Sequence, residues 1–228
     1  MRTKILTRHT APNKVIAIDG TAASGKGTIA RKLSQALNLP HLDTGKLYRF
    51  VAYHAMQAQI ALDNEPAIVA AAPQFLAQLS AQDLEKTELT NDECSRGASL
   101  VAAMPTIRQM LFEYQRNFAA NEGGAILDGR DIGTVICPDA ILKLYVDARL
   151  EIRAERRFKE LQNRGLSDTY DAILADMRER DARDKGRADA PLKVADDAII
   201  IDTTDMNAVE AFEMALNLAR THLEFTQP

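Results

Sequence analysis

Cysteine is scarce in this chain. Its 228 residues hold two, Cys94 and Cys137, far apart and without metal-ligand spacing. That argues against a disulfide framework and suits a reducing compartment. Only four histidines occur, none in a His-rich spacing, so no metal site is expected. No apolar run approaches the roughly 18 residues that a membrane helix needs. The polar opening from Met1 to Asn13 lacks the apolar core of a secretory leader and reads as a frayed lead-in. A cytoplasmic protein without membrane contact is expected. Positive charge is not in excess either. The formal net charge of −4 argues against nucleic acid as a partner.

What is present is the composition of a globular chain, 46% hydrophobic and 26% charged. The length suits one substantial domain with a small second element. There is no internal repeat and no low-complexity linker. Arginines concentrate between Arg149 and Arg187, alternating with Asp and Glu. A mixed-charge helical surface explains part of that without any function.

Apolar runs mark the strands. Lys14 to Asp19 is rich in β-branched residues and predicts a buried parallel strand. Gly124 to Asp128, Ile141 to Val146 and Ala198 to Asp202 predict three more, and Leu39 to Leu42 a short one ending at Asp43. Helices are expected over Thr28–Leu37, Leu47–Ile60, Ala67–Leu79, Ala98–Ala119 with a break at Pro105, Ala148–Gln162, Thr169–Lys185 and Asn207–Leu223. Ser80 to Cys94 is polar and reads as a loop with little fixed structure, the best place for a small inserted element. Strands alternating with helices of this length predict an α/β fold, a parallel sheet covered on both faces.

The strongest motif is Gly20-Thr21-Ala22-Ala23-Ser24-Gly25-Lys26-Gly27-Thr28, between the first strand and the first helix. Glycines let backbone amides converge on phosphate oxygens, and the helix adds its N-terminal dipole. Lys26 reaches the outer phosphates as a point charge. Gly27 displaces the expected hydroxyl to Thr28, which either meets a phosphate or a magnesium-bound water or only caps the helix. The bland alternative is a Gly-rich turn with a surface lysine. The strand–loop–helix context favours a nucleoside triphosphate.

Other clusters fall where strands end. Asp43, Thr44 and Arg49 follow the second strand, at the edge where parallel sheets bind ligands. Arg49 suits a phosphate or carboxylate; the alternative is a capping Asp or Thr with a surface arginine. Asp128-Gly129-Arg130-Asp131-Ile132-Gly133-Thr134 packs three charges between glycines after a buried strand. Its alternative is a plain turn salt bridge. Ser99 and Arg108 flank Pro105, and Arg108 alone reads as a solvated helix residue. Finally Arg180, Arg183 and Arg187 lie close to Gly186. They read either as a salt-bridged helix or as a mobile arm that clamps phosphates.

Together these segments resemble the bacterial cytidylate kinases, among the nucleoside monophosphate kinases. Asp43-Thr44-Gly45 with Tyr48-Arg49, Ser99 to Pro105 with Arg108, the Asp128 to Ile136 segment, and Glu179 to Leu192 carry the likeness beyond the phosphate loop. The resemblance implies a P-loop NTPase three-layer sandwich with a five-stranded parallel sheet, a helical lid and a small insertion on the monophosphate side. On that pattern residues 1–228 form a single kinase domain, 61–97 a shortened insertion and 156–190 the lid. It implies transfer of the γ-phosphoryl of ATP to CMP or dCMP, with Mg2+, by a monomer.

Carried onto this chain, the pattern assigns the loop Gly20 to Thr28 and Arg156 to the donor. Thr44, Arg49, Ser99, Arg108, Arg130, Asp131, Arg180 and Arg187 are assigned to the acceptor. Lys26, Arg130, Arg180 and Arg187 become the catalytic cations, and no metal ligand is assigned to the protein. Two features depart from the family. The insertion is short and lacks clear hairpin pairs, and Lys46 stands where a small residue is usual. Both bear on which monophosphate is accepted. A kinase for UMP or another small phosphorylated acceptor, or an inactive nucleotide-binding regulator, are the competing readings.

Overall fold

The computed structural model describes residues 14–224, so the opening segment lies outside the described residues. Five strands form one parallel sheet: β1 (Val15–Gly20), β2 (His41–Asp43), β3 (Ala125–Gly129), β4 (Leu142–Asp147) and β5 (Ile199–Asp202). Their order across the sheet is β2-β3-β1-β4-β5. The chain leaves central β1 for β2, returns to β3, then crosses β1 to reach β4 and β5. Such a reversal of direction opens a crevice at the carboxyl ends of the strands.

Successive side chains of a strand point to opposite faces, and β1 divides its residues accordingly. Val15 and Ala17 join Leu47, Phe50, Ile107 and Leu111 on one face. That side is built by α2 (Thr44–Gln57), α3 (Glu65–Leu76), α4 (Asp92–Val101) and α5 (Pro105–Ala119). Ile16 and Ile18 join Ile29, Leu33, Ala215 and Leu216 on the other. Those come from α1 (Lys26–Leu37) and α8 (Ala208–Glu224). Every β1 residue is buried, so a run apolar on both sides is what the position requires. A smaller cluster of Ala154, Leu161, Ile173 and Met177 binds α6 (Leu150–Asn163) to α7 (Tyr170–Gly186), away from the main core.

Ser80 to Cys94 differs from the sequence reading, the helix through Pro73 and the break at Pro105 agree with it, and one further turn has no counterpart in it. Ser80 to Cys94 is folded: 3₁₀ turns span Asp83–Glu85 and Thr87–Thr90, anchored by buried Leu84 and Leu89. Asn91 then caps α4, its side chain accepting from the Cys94 amide at 2.6 Å. No strand forms between α2 and α4. Pro73 lies inside α3, with Ile68 and Ala72 of the same helix fully buried, so packing holds the helix through the lost N–H. Pro105 occupies the first turn of α5, where its missing N–H does no harm. Ile132–Ile136 forms a single π-helical turn, which the strand and helix periodicities do not encode. Both cysteines are free and buried. Among the described residues, no helix is long and apolar enough to cross a membrane.

Candidate active site

The loop between β1 and α1 takes its shape from backbone freedom. Gly20 has φ +153°, and a Cβ there would stand 2.0 Å from the Val146 carbonyl oxygen, so only glycine lets β1 lie so close to β4. Gly25, at φ 93°, turns the chain into α1. Ala23 is held at φ 58°, a left-handed conformation that a residue with a Cβ adopts at some strain. Thr21 is buried under the loop and donates to Asp147 Oδ1 at 2.6 Å. The Ser24 hydroxyl donates to the Thr21 carbonyl at 3.0 Å.

Above the loop is a cleft of about 520 Å³. The phosphate-loop residues Ala22 to Thr28 line it. Thr44, Arg49, Ser99, Arg108, Arg130, Asp131, Arg180 and Arg187 line the same cleft. Residues widely separated in sequence therefore meet in one space. Gly20 and Thr21, assigned to the donor with the rest of the loop, are not among the residues lining the cleft. Arg156 lies elsewhere, in a smaller cavity of about 180 Å³ on the α8 side of the loop, shared with Ser24, Thr28 and Asn207. Its guanidinium donates to the Thr203 hydroxyl at 2.9 Å and to the Thr203 and Met206 carbonyls. Lys46 is not among the cleft residues; its ammonium is 2.8 Å from Glu85 Oε1 in the first 3₁₀ turn.

Charges within the cleft are tightly interlocked. Lys26 Nζ lies 3.9 Å from Asp128 Oδ2, and the other oxygen of Asp128 is 2.7 Å from His41 Nε2. Burial, reinforced by the nearby Arg130 charge, pulls Lys26 down to about 8 against the opposing effect of Asp128. Burial alone would raise Asp128, but His41 and Lys26 carry it below the usual carboxylate value. Thr44 donates to the Asp128 carbonyl at 2.9 Å, tying the start of α2 to the end of β3. Arg130 Nε donates to Asp184 Oδ2 at 2.8 Å, which holds α7 over the cleft. Arg108 and Asp131 form a buried ion pair, with the Tyr48 hydroxyl 3.3 Å from the same guanidinium.

The cations on α7 are less well satisfied. Arg180 Nη1 donates to Ser95 Oγ at 3.1 Å, but its Nε is buried without a hydrogen-bond partner. Arg187 donates to the Asp184 carbonyl at 3.3 Å and the Ala102 carbonyl at 3.4 Å, and its Nη2 is buried without a partner. Arg108 Nε makes no hydrogen bond but lies 3.3 Å from Asp189 Oδ2, an ion pair. Burial lowers the pKa of both Arg180 and Arg187, Arg180 to about 10 with help from the adjacent Arg130. Native proteins leave few buried donors unpaired, and the chemistry of two such guanidinium nitrogens on cleft-lining arginines suits anionic oxygens.

Other residues complete this arrangement. Arg153 pairs with Asp181 at 2.7 and 3.3 Å and donates to the Ala22 carbonyl at 3.2 Å, joining α6, α7 and the donor loop. Arg157 lines the cleft and pairs with Asp92 at the start of α4. Asp184 orients Arg130. The available signal was spacing: Arg180, Asp184 and Arg187 recur at about one helical turn and share a face. Nothing in the sequence marks His41.

A phosphate loop on the central strand and arginines converging over one cleft define a P-loop phosphotransferase. The family model for cytidylate kinase matches residues 16–221, and the chain belongs to that family. It is 51% identical over 207 residues to the cytidylate kinase of Paramagnetospirillum magneticum, covering 90% of this chain and 96% of that protein. To the cytidylate kinase of Xanthobacter autotrophicus it is 52% identical over 202 residues, covering 89% of this chain and 95% of that protein.

Proposed function

We propose that this protein transfers the γ-phosphoryl group of ATP to CMP or dCMP, giving ADP and CDP or dCDP. The observation that carries the reading is the pair of buried guanidinium nitrogens of Arg180 and Arg187 that have no hydrogen-bond partner among the described residues, on arginines that line the same cleft as Lys26 and the phosphate loop. Family membership supports cytidine as the acceptor base.

In this reading the Gly20 to Thr28 loop cradles the triphosphate, and Lys26 leaves Asp128 for the outer phosphates. The adenine end rests in the smaller cavity beside Arg156, whose planar group suits a nucleobase. Thr44 and Arg49 hold the acceptor phosphate. Ser99, Arg108 and Asp131 hold the nucleoside, and Arg130 stands between the two phosphate sites. The segment 156–190 acts as the lid and 61–97 as the acceptor-side insertion. Arg180 and Arg187 come from the lid, so its closure both excludes water and brings charge to the transferring group. An acceptor phosphate oxygen attacks the γ-phosphorus while the bond to the β–γ bridging oxygen breaks. That oxygen is already anionic, so no side-chain base is required.

The donor set fits a magnesium ion that arrives with the nucleotide. Among the described residues no three carboxylate, histidine or cysteine side chains cluster to hold a metal alone. The Thr28 hydroxyl and the Asp128 carboxylate line the cleft, and magnesium usually keeps several waters and takes few protein ligands. Such an ion would neutralise charge on the donor phosphates. The same reading makes the enzyme a cytoplasmic monomer that acts on small nucleotides, and the net charge of −4 supports the exclusion of nucleic acid.

Phosphorus NMR of the protein with ATP, magnesium and CMP tests the assignment. New resonances of a cytidine diphosphate appearing with ADP are expected. Release of inorganic phosphate with CMP unchanged would overturn it.

A further inference from the structure

Asp19 ends the apolar run of β1, buried next to the phosphate loop but not among the residues lining the cleft. Its two carboxylate oxygens accept from backbone amides of a different segment: Ile132 N at 2.8 Å and Gly133 N at 2.7 Å. These amides begin the π-helical turn Ile132–Ile136, where donors have no partner within the turn.

The residue before that turn is Asp131. An aspartate there ordinarily folds its carboxylate back onto the amides of its own turn. Asp131 does not, and its side chain makes no capping bond. It reaches instead to Arg108, while its backbone carbonyl accepts from Val135 and Ile136. Gly133 shows how closely the Asp19 contact is built. A Cβ at Gly133 would meet the Lys143 side chain at 3.1 Å and Asp19 Oδ2 at 3.4 Å.

We infer that Asp19 is a positioning residue for acceptor recognition: by capping the turn from β1, it frees the Asp131 carboxylate to pair with Arg108 in the cleft. The inference rests on the reading that Asp131 and Arg108 belong to the acceptor site. Asp19 adjoins Gly20 of the donor loop, yet its hydrogen bonds serve the acceptor side. Without it, the turn amides compete with Arg108 for Asp131. A hydrogen bond from an amide to a charged group is strong enough for that competition to matter.

The test is a double-mutant cycle on dissociation constants for CMP and for a non-hydrolysable ATP analogue, with D19N, D131N and the double variant. Asn at position 19 keeps the volume but sets an amide NH2 against a backbone N–H. D19N is expected to weaken CMP binding about tenfold, with the ATP analogue within about twofold. In the D131N background, D19N should add less than about twofold, because the carboxylate it protects is gone. Additive losses in the double variant, or equal losses for both nucleotides, would overturn the inference. If D131N weakens CMP and D19N does not, the inference fails while the acceptor reading stands. Unchanged CMP affinity in D131N overturns both. Gly133→Ala approaches the contact from the turn and serves if D19N does not fold. It should weaken CMP selectively, and unchanged CMP affinity there overturns the inference.

Discussion

Replacing Arg187 by Met separates catalytic from structural arginines most clearly. Among the described residues the guanidinium makes two hydrogen bonds, both to carbonyls and both long, at 3.3 and 3.4 Å. Its Nη2 is buried without a partner, and burial depresses its pKa. A buried cation so poorly satisfied adds little to stability, and an apolar chain of similar volume is often neutral or stabilising. The urea-derived unfolding free energy of Arg187→Met should therefore stay within about 1 kcal/mol of the parent. Turnover should behave differently. If Nη2 meets charge that develops on the transferring phosphoryl group, its loss should lower kcat by about 100- to 1000-fold, or roughly 3–4 kcal/mol. KM for either nucleotide should move by less than about fivefold. The assay couples ADP release to NADH oxidation at saturating ATP and CMP. A variant that keeps kcat within threefold, or that loses kcat and several kcal/mol of stability together, would refute this reasoning.

Lys26→Ala should reduce turnover at least about 1000-fold while leaving the fold intact, checked by the same assay alongside circular dichroism. In the free protein Lys26 is lowered from 10.5 to about 8, so the cation is lost above that pH. kcat/KM for ATP is therefore expected to fall above about pH 8, while kcat at saturation holds because bound phosphates restore the proton. A flat kcat/KM through pH 9.5 would contradict the assignment. The sign for stability is opposite: between 8 and 10.5 the unfolded lysine binds more proton, so this group makes unfolding free energy rise with pH in that window. Arg153→Met, by contrast, strands the buried Asp181 carboxylate and should cost about 3–5 kcal/mol in urea denaturation. A loss below 1 kcal/mol would remove Arg153 from the structural anchors between α6 and α7.

Much of this was legible in the sequence because the relevant signals are local. The apolar run of β1 followed by the glycines of the donor loop predicts strand, turn and helix in order. Arg130 and Asp131 are conspicuous because charge directly follows a buried strand. Other features depend on tertiary context. Ser80 to Cys94 looks unstructured because its order comes from two buried leucines and the Asn91 cap, not from periodicity. Lys46 stands near Thr44 in sequence, yet its partner is Glu85, far along the chain. Arg153 and Arg187 share one charged stretch. Their difference, a bidentate carboxylate for one and an unpaired nitrogen for the other, exists only once α6 and α7 pack against α4 and the donor loop. The Asp19 contact joins residues more than a hundred positions apart, and the π turn it caps has no periodic signature.

Initial rates of acceptor-dependent ADP formation with CMP, dCMP, UMP and AMP, at one concentration of ATP and magnesium, test the central claim most directly. CMP and dCMP should exceed UMP and AMP by at least about tenfold, as expected where polar groups of a site must be matched by the base. Rates with UMP or AMP above those with CMP would contradict the acceptor assignment. ADP release that no acceptor stimulates would contradict the phosphotransferase reading itself.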